Sequence, residues 1–333
     1  MAMKKLLNKP ENLVQELLEG FVLANPGKVK LEGTNLVVRV AAKSKDKVAL
    51  VTLGGSGHEP ALSGFVGEGM LDISVPGEIF AAPGPPRVIE ALRAANRDAG
   101  VLFVVLNHAG DVMSANLAMG MAKKEGLNVR MVLTHEDISG GPRETPDERR
   151  GLAGALAVIK VAGAAAEQGR SLDECVAVAE RMEANMATLA LAVSGATHPS
   201  TGEVIATIAD DVMVVGMGQH GEAGGGTQPL KSADETTDIM LSALLEDIQA
   251  KPGDEFLVML NGVGATTLME LYLVLRRAGQ ILESKGMKMA RTLVGEILTV
   301  QEMGGFQMCI GRLDDELKAL WDAPCSSPVL VVK

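Results

Sequence analysis

Two kinds of apolar block alternate along the first part of the chain. Short runs rich in Val, Ile and Leu predict strands, and longer stretches in which apolar residues recur every three or four positions predict helices. Strand, helix and strand follow one another, which is typical of a parallel sheet with helices on its faces. The predicted helices cover 11–24, 86–98 and 112–125, and the predicted strands cover 34–41, 47–53, 101–106 and 128–133.

The second part of the chain repeats this organisation after a polar loop at 136–150 that is rich in Gly and Pro. The pattern as a whole predicts an α/β fold, with two α/β domains whose largely parallel or mixed sheets are flanked by helices. We place these domains at 1–188 and 189–333. The predicted helices cover about 150–168 and 171–190, a stretch ending near 285 and a short one at 314–321, and the predicted strands cover 212–218, 255–260, 291–298 and 306–313.

Composition argues against several classes of function. The net charge is −11 and no dense Lys/Arg cluster is present, so we expect no nucleic-acid partner. The three cysteines, Cys175, Cys309 and Cys325, are widely spaced, which is typical of a reducing compartment. No segment has the length and hydropathy of a signal peptide or a membrane span. We therefore expect a cytoplasmic protein without a membrane partner.

The candidate chemistry lies where predicted strands end in glycine-rich sequence. His58 in GGSGHEP and His220 in GMGQHGEAGGG each follow an apolar strand and have a glutamate close behind. Asp111 in NHAGD also follows a strand, at the start of a helix, where it is either a helix-capping acid or a general base. Ligands of open α/β sheets bind at the carboxyl ends of strands. No His or Cys spacing indicates a metal site, and we expect none.

Several longer motifs resemble one known family, the substrate-binding kinase subunit (DhaK) of bacterial dihydroxyacetone kinase. The resemblance spans nearly the whole chain. The motifs are GGSGHEP, GEGML, PGEIF, NHAGD, RRG, GAAAEQG, GMGQHGE, NGVGATTLMELY and LWDAP.

That resemblance implies a phosphotransferase that acts on an alcohol group of a short hydroxyketone. It implies that His220 binds the ketone carbon covalently as a hemiaminal, which selects ketones over polyols such as glycerol. Asp111 and His58 would form the acid/base pair at the substrate hydroxyl. The glycine-rich stretch, Gly55, Ser56 and Gly57, would line the pocket with backbone amides.

The sequence departs from the family pattern at the edge of this pocket. Leu106 stands where the family has a lysine that contacts substrate, and Ala81 and Ala82 replace Thr and Ser after PGEIF. His108, next to Leu106, is a candidate substitute donor and otherwise a structural residue. These changes favour a different hydroxyketone, such as the ketotetrose erythrulose, or an altered affinity for dihydroxyacetone.

The resemblance also implies partners. We expect no cofactor on this chain, because ATP or ADP with Mg²⁺ would be held by a separate DhaL-type subunit, fed by ATP or by a phosphorelay protein. A homodimer is expected as well. Two alternatives stay open: a ketone-binding coactivator of a transcriptional regulator, which would not need His58 and Asp111, and a nucleotide-dependent reductase, against which the absence of G-x-G-x-x-G argues.

Overall fold

The computed structural model describes residues 4–219, 221 and 224–333. It divides into two compact units, each assembled from separate stretches of chain. The N-terminal unit comprises Leu6–Thr134, Ala155–Met182 and Leu317–Lys333, and the C-terminal unit comprises His135–Gly154 and Glu183–Glu316 with residues 4–5. This division differs from the two contiguous halves that we expected, 1–188 and 189–333. The difference arises because backbone atoms of 136–138 pair with Thr188, next to the expected boundary.

The N-terminal unit contains a six-stranded mixed sheet with strand order β1-β2-β4-β3-β5-β6. The four strands from β4 to β6 are parallel to one another, and at one edge β2 pairs antiparallel with both β4 and β1. Every residue of β5 is buried, as expected for a central strand covered on both faces. The strands are β1 (Val29–Glu32), β2 (Leu36–Arg39), β3 (Ala49–Ser56), β4 (Ile73–Ile79), β5 (Val101–Leu106) and β6 (Val129–Thr134).

Helices surround this sheet near the predicted positions. Apolar residues of α2 and α3 pack against the strands in one continuous core. The predicted helix over 171–190 is too long, because the chain after α5 becomes a strand. The helices are α1 (Leu13–Ala24), α2 (Pro85–Ala95), α3 (Ala109–Lys124), α4 (Ala155–Glu167) and α5 (Leu172–Ala184).

The C-terminal unit has a second six-stranded mixed sheet, with order β11-β10-β12-β7-β8-β9. Only β10 and β11 are parallel, and the other neighbouring pairs are antiparallel. The prediction of two α/β domains with largely parallel or mixed sheets is confirmed, and both sheets are mixed. The elements are β7 (Met186–Ser194), β8 (Val212–Val215), β9 (Gly226–Pro229), α6 (Ala233–Asp247), β10 (Glu255–Gly262), α7 (Leu268–Ser284), β11 (Lys288–Glu296) and β12 (Gly304–Arg312).

The chain ends with α8 (Asp315–Asp322) and a small hairpin of β13 (Cys325–Ser326) and β14 (Val331–Val332). Helices α6 and α7 cover one face of the second sheet with a single apolar cluster that includes Phe256, Leu271 and Phe306. Each of the two helices begins with a capping box, Ser232 with Glu235 and Thr267 with Glu270, so their first residues are well defined. Among the described helices, none is long and apolar enough to cross a bilayer.

Candidate functional site

Strand β3 carries two of the glycines of GGSG inside the sheet rather than in a turn after it. Gly54 lies opposite Pro76 of β4 and Ser56 lies opposite Ile79, with an irregularity in the register between them. The Ser56 hydroxyl donates a hydrogen bond of 2.8 Å to the carbonyl of Gly77. We predicted that this strand ends at residue 53, but it continues to Ser56, two residues before His58.

The glycines are required by the loop that follows β4. A Cβ atom at Gly55 would lie 2.7 Å from the backbone nitrogen of Ala81, and one at Gly57 would lie 2.9 Å from the ring of Phe80. Gly57 also has φ of +99°, a conformation that other residues rarely adopt. The glycine-rich stretch thus allows the loop to pack directly on the end of β3.

His58 is buried beneath this loop. Its side chain is 7 % exposed, and its ring lies 4.8 Å from the ring of Phe80, centroid to centroid, at an interplanar angle of 41°. Phe80 is held there by its backbone N–H, which donates to the carbonyl of Ser56 at 2.8 Å. The structure therefore gives His58 a defined position at the carboxyl end of β3.

Glu59 engages one of the amides that we expected to face substrate. The N–H of Gly57 donates to both carboxylate oxygens of Glu59, at 3.0 and 3.1 Å. Burial raises the pKa of the Glu59 carboxyl, while the backbone N–H groups of Gly57 and Glu59 favour its ionised form. The amide of Gly57 is thus hydrogen-bonded within the protein. The sequence places Glu59 directly after His58, but nothing in that motif indicates the hydrogen bond from Gly57 to Glu59.

Asp111 and His108 lie at the start of α3, directly after β5. His108 is the N-cap residue, and its carbonyl accepts a 2.9 Å hydrogen bond from the N–H of Val112. Asp111 is the third residue of the helix, in the first turn, where a carboxylate is stabilised by the exposed N–H groups. Leu106, the last residue of β5, is buried and pairs with Thr134 of β6.

The loop after β4 also contacts α3. The hydroxyl of Ser114 donates a 2.5 Å hydrogen bond to the carbonyl of Pro83. A Cβ at Gly110 would lie 3.6 Å from the Cβ of Ala82, so small residues face each other here. Ala81, which we expected at the pocket edge, is exposed.

Strands β3 and β5 are neighbours and run parallel, with Ala49 opposite Val101 and Thr52 opposite Val104. Their carboxyl ends therefore lie at the same edge of the sheet. The structure brings the segment of Gly55–His58 and the segment that carries His108 and Asp111 to this common edge, as the sequence predicted.

The other candidate histidine, His220, lies outside the described residues. The residues that flank it in the sequence, Gly216 and Gly224, lie in the C-terminal unit. A Cβ at Gly224 would lie 1.7 Å from the carbonyl oxygen of Gly216, so the chain on either side of His220 comes together there. The side chain of Gln219 is buried and donates to the carbonyl of Gly151 at 3.4 Å.

The RRG motif fixes this loop base. Arg150 donates to the carbonyl of Gly216 at 2.9 Å and forms an ion pair with Asp137 at 2.7 Å. Arg149 pairs with Asp247 at 2.5 Å. In the sequence, RRG was identified only as one of the motifs that carry the family resemblance. Asp137 was missed, because only the fold places it beside Arg150.

Within the described residues, no group of three or more His, Cys, Asp or Glu side chains is arranged to hold a metal ion. The edge of the N-terminal sheet instead combines a buried imidazole, a carboxylate in the first turn of a helix and a tightly packed loop. Such a combination suits proton transfer to a small polar ligand.

Comparisons with known proteins give a consistent result. The dihydroxyacetone-binding subunit DhaK of PTS-dependent dihydroxyacetone kinase 1 from Listeria innocua is 37 % identical over 315 residues, which cover 94 % of this chain and 95 % of that subunit. An L-erythrulose kinase from Pectobacterium atrosepticum is also 37 % identical, over 98 % of this chain but only 56 % of that longer enzyme.

Solved structures agree with these relatives. The dihydroxyacetone kinase of C. freundii in complex with AMP-PNP and Mg²⁺ superposes with a TM-score of 0.88 at 29 % identity, over 99 % of this chain and 61 % of that one. The dihydroxyacetone kinase operon co-activator Dha-DhaQ gives a TM-score of 0.89 at 29 % identity, over 95 % of this chain and 98 % of that one. The model of the Dak1 domain matches residues 19–329, and the chain belongs to this family.

Proposed function

We propose that this chain is the substrate-binding and catalytic subunit of a DhaK-type kinase that phosphorylates a short hydroxyketone. The observation that carries the proposal is the common sheet edge at which β3 delivers His58 and β5 delivers Asp111. The family of the chain and its near-complete alignment with a dihydroxyacetone-binding subunit support the same conclusion.

In this proposal His220 holds the substrate. The lone pair of one imidazole nitrogen attacks the ketone carbon, and a C–N bond forms as the C=O π bond breaks. The other ring nitrogen loses its proton and the former carbonyl oxygen gains one, which gives a neutral hemiaminal with a hydroxyl group. Glycerol has no carbonyl and cannot make this bond. The residues proposed to line the pocket beside the held ketone are Gly55, Ser56, Gly57, Leu106 and His108.

Asp111 and His58 then act on the free terminal hydroxyl of the held substrate. Asp111, assisted by His58, takes the hydroxyl proton as the hydroxyl oxygen bonds to the γ-phosphorus of ATP and the bond from that phosphorus to the bridging oxygen of ADP breaks, so the held ketone becomes a phosphate monoester and ADP leaves. The nucleotide, with Mg²⁺, supplies the phosphoryl group, and we propose that a separate DhaL-type subunit holds it. We also propose that the chain forms a homodimer and that the protein is cytoplasmic. A phosphorelay protein would supply the phosphoryl group to the DhaL-type subunit.

Native mass spectrometry tests the capture step. The protein is incubated with dihydroxyacetone, erythrulose and glycerol, and we expect an adduct with either ketone, none with glycerol, and none in His220→Ala. His198→Gln is the matched control and should retain the adduct. Borohydride should discharge the adduct as the released ketone is reduced, whereas an imine on a lysine would be fixed in place. Capture of a ketone by His220→Ala would exclude the hemiaminal assignment.

Turnover separates the kinase from the coactivator. With ATP, Mg²⁺ and an added DhaL-type subunit, wild type should phosphorylate the ketone and Asp111→Asn should capture it with a loss of turnover of about 10²–10⁴-fold. The similarity to Dha-DhaQ favours the coactivator as the second candidate. Capture without turnover in the wild-type protein would support that candidate. Faster turnover of erythrulose than of dihydroxyacetone would identify a ketotetrose kinase.

A further inference from the structure

Gly216 directly follows strand β8 and stands four residues before His220 in the sequence. Its N–H donates to the carbonyl of Ala190 in β7 at 2.7 Å, and its carbonyl accepts from the guanidinium of Arg150 at 2.9 Å. Its φ of +78° is a conformation that favours glycine. Both polar backbone groups of this residue are therefore held by other parts of the C-terminal unit.

The chain beyond His220 comes back to pack against Gly216. A Cβ at Gly216 would lie 2.7 Å from the backbone nitrogen of Gly225, and Gly226 pairs with Val215 at the end of β8. The two ends of the segment that carries His220 are therefore held at one place. A displacement of Gly216 would move both of them.

Arg150 is itself held by Asp137 and Ser139. Its Nε donates to Oδ2 of Asp137 at 2.8 Å, and its Nη2 donates to the hydroxyl of Ser139 at 2.9 Å. Asp137 is fully buried, and its Oδ1 accepts from the N–H and the hydroxyl of Ser139 at 3.0 and 2.7 Å. That hydroxyl also lies 3.2 Å from the carbonyl of Gly216, but its single proton is directed to the closer, charged oxygen of Asp137. Arg150 therefore carries the hydrogen bond to Gly216.

This network is anchored on the strand that also binds Gly216. The N–H of Ile138, which follows Asp137, donates to the carbonyl of Thr188 in β7 at 3.0 Å. Thr188 lies two residues before Ala190, the partner of Gly216 on the same strand. Strand β7 is an interior strand of the sheet and is buried along these residues. One rigid element thus supports both the network and the residue that the network holds.

We propose that Arg150, oriented by Asp137 and Ser139, is a positioning residue for the capture of the ketone by His220. Capture requires the imidazole nitrogen to meet the ketone carbon at bonding distance and in the correct direction. A segment whose base is fixed in advance loses less entropy when this bond forms. The network therefore acts on capture and not on phosphoryl transfer, which is assigned to other residues. The inference rests on the proposed function, because it takes His220 as the capturing residue.

Titration of ketone capture by native mass spectrometry tests Arg150, with whichever of dihydroxyacetone and erythrulose the wild type captures more tightly. Arg150→Ala should raise the apparent Kd for capture about 10–100-fold. Turnover at saturating ketone, with ATP, Mg²⁺ and an added DhaL-type subunit, should stay within about threefold of wild type, since a loss of binding alone raises KM and leaves kcat. Guanidinium chloride far below its denaturing concentration should restore capture by Arg150→Ala, because the ion replaces the missing group, and should not change capture by the wild type.

Arg312→Ala is the matched control. Arg312 lies in the same unit and has the same donor pattern, through Nε to Asp254 at 3.0 Å and through Nη2 to the carbonyl of Ile248 at 2.7 Å. Its removal should leave capture unchanged. Ser139→Ala is the milder variant, which keeps the guanidinium of Arg150 and removes one of its contacts. It should weaken capture about threefold, and it decides the question where Arg150→Ala fails to fold.

Wild-type capture by Arg150→Ala and Ser139→Ala would overturn the inference. So would an equal loss of capture in Arg312→Ala, or a loss of turnover at saturating ketone as large as the loss of capture. In each of these cases His220→Ala still lacks the adduct, so the proposed function stands. Capture of a ketone by His220→Ala would instead overturn the proposed function, and the inference with it.

Discussion

Glu136 is a buried carboxyl of the C-terminal unit. Glu136 is 1 % exposed, and its Oε1 accepts a 2.8 Å hydrogen bond from the N–H of Leu152. The absence of a side chain at Gly154 makes room for it, since a Cβ there would lie 2.6 Å from Oε1. Burial raises the pKa of Glu136 to about 8, and the nearby Glu183 and Asp137 act in the same direction.

Glu136→Gln should remove this pH dependence. The folded protein binds a proton that the unfolded chain releases between its ordinary pKa of 4.5 and about 8, so wild-type stability should fall as the pH rises through that window. At pH 8.5 we expect the variant to be more stable than wild type by about 1–3 kcal/mol, with little difference at pH 4.5. Urea unfolding at both pH values measures this.

The exposed Glu125→Gln is the control for that experiment. Glu125 pairs with Arg93 at the surface, and its loss should leave the slope of stability against pH between 5 and 8 unchanged. Parallel pH profiles for wild type and Glu136→Gln would mean that Glu136 is ionised in the folded protein.

The packing of neighbouring residues and the backbone conformation require a glycine at position 57. We expect Gly57→Ala to lower the free energy of unfolding by about 1–3 kcal/mol, because φ of +99° is strained for alanine and the new Cβ would press on the Phe80 ring. Displacing Phe80 should also disturb His58, so turnover should fall. Thermal unfolding and the coupled kinase assay measure the two effects.

Gly20 supplies the matched comparison for Gly57. It lies in α1, and a Cβ at this position would meet no atom within 4 Å. Gly20→Ala should therefore stabilise the protein by about 0.5–1 kcal/mol and leave turnover unchanged. Equal effects of the two substitutions would contradict the packing account of Gly57.

At the scale of elements, one buried lysine joins α4 to the end of the chain. Lys160 lies among the small apolar residues of α4 and is fully buried. Its ammonium donates to the carbonyls of Leu320 and Ala323, both at 2.8 Å, at the carboxyl end of α8. Burial lowers the pKa of Lys160, while the nearby Cys325 and Asp322 act in the opposite direction.

Lys160→Met should lower the free energy of unfolding by about 1.5–3 kcal/mol, since two buried carbonyls lose a charged donor. Hydrogen exchange should then become faster in α8 and in the hairpin of β13 and β14, while β5 stays protected. Lys124→Met at the exposed end of α3 is the control. Unchanged exchange in α8 would show that apolar packing alone holds the C-terminal segment.

Hydrophobic periodicity predicted the positions of helices and strands better than it predicted which strands pair with each other. Strand β5 and helix α3 were predicted from hydrophobic periodicity, and Asp111 lies where expected, between the end of that strand and the body of that helix. Residues 186–190 were predicted as the end of the helix over 171–190, yet they begin the strand β7, which pairs with β12 and β8. Tertiary pairing overrides propensity in such a segment. The sequence predicted a parallel sheet, and because β3 and β5 are parallel neighbours in it, the candidate residues that follow them share one edge. The Glu59–Gly57 contact depends instead on a loop conformation that no periodicity encodes.

The whole molecule is built from interleaved segments, and long-range bonds hold them. In the C-terminal unit, Arg143 donates to the carbonyls of Ala184 and Met186, both at 2.8 Å. The N–H of Ala153 donates to the side chain of Gln307 at 3.1 Å. The segment His135–Gly154 is thus an integral part of a unit that otherwise consists of Glu183–Glu316 and residues 4–5.

This organisation predicts that the chain cannot be divided at the boundary that composition suggested. Expressed alone, 1–188 would carry His135–Gly154 without its sheet, and 189–333 would lack both that segment and the first residues of β7. We expect neither fragment to give dispersed amide resonances or cooperative unfolding.

Co-expression of the two fragments should restore a folded complex, because every strand pairing is then available. The control is a nick at the exposed Glu144, which should be tolerated because Arg143 on one side of the cut keeps its bonds to Ala184 and Met186. Independent folding of 189–333 would show instead that its sheet needs no contribution from His135–Gly154, and that the two contiguous halves are the true domains.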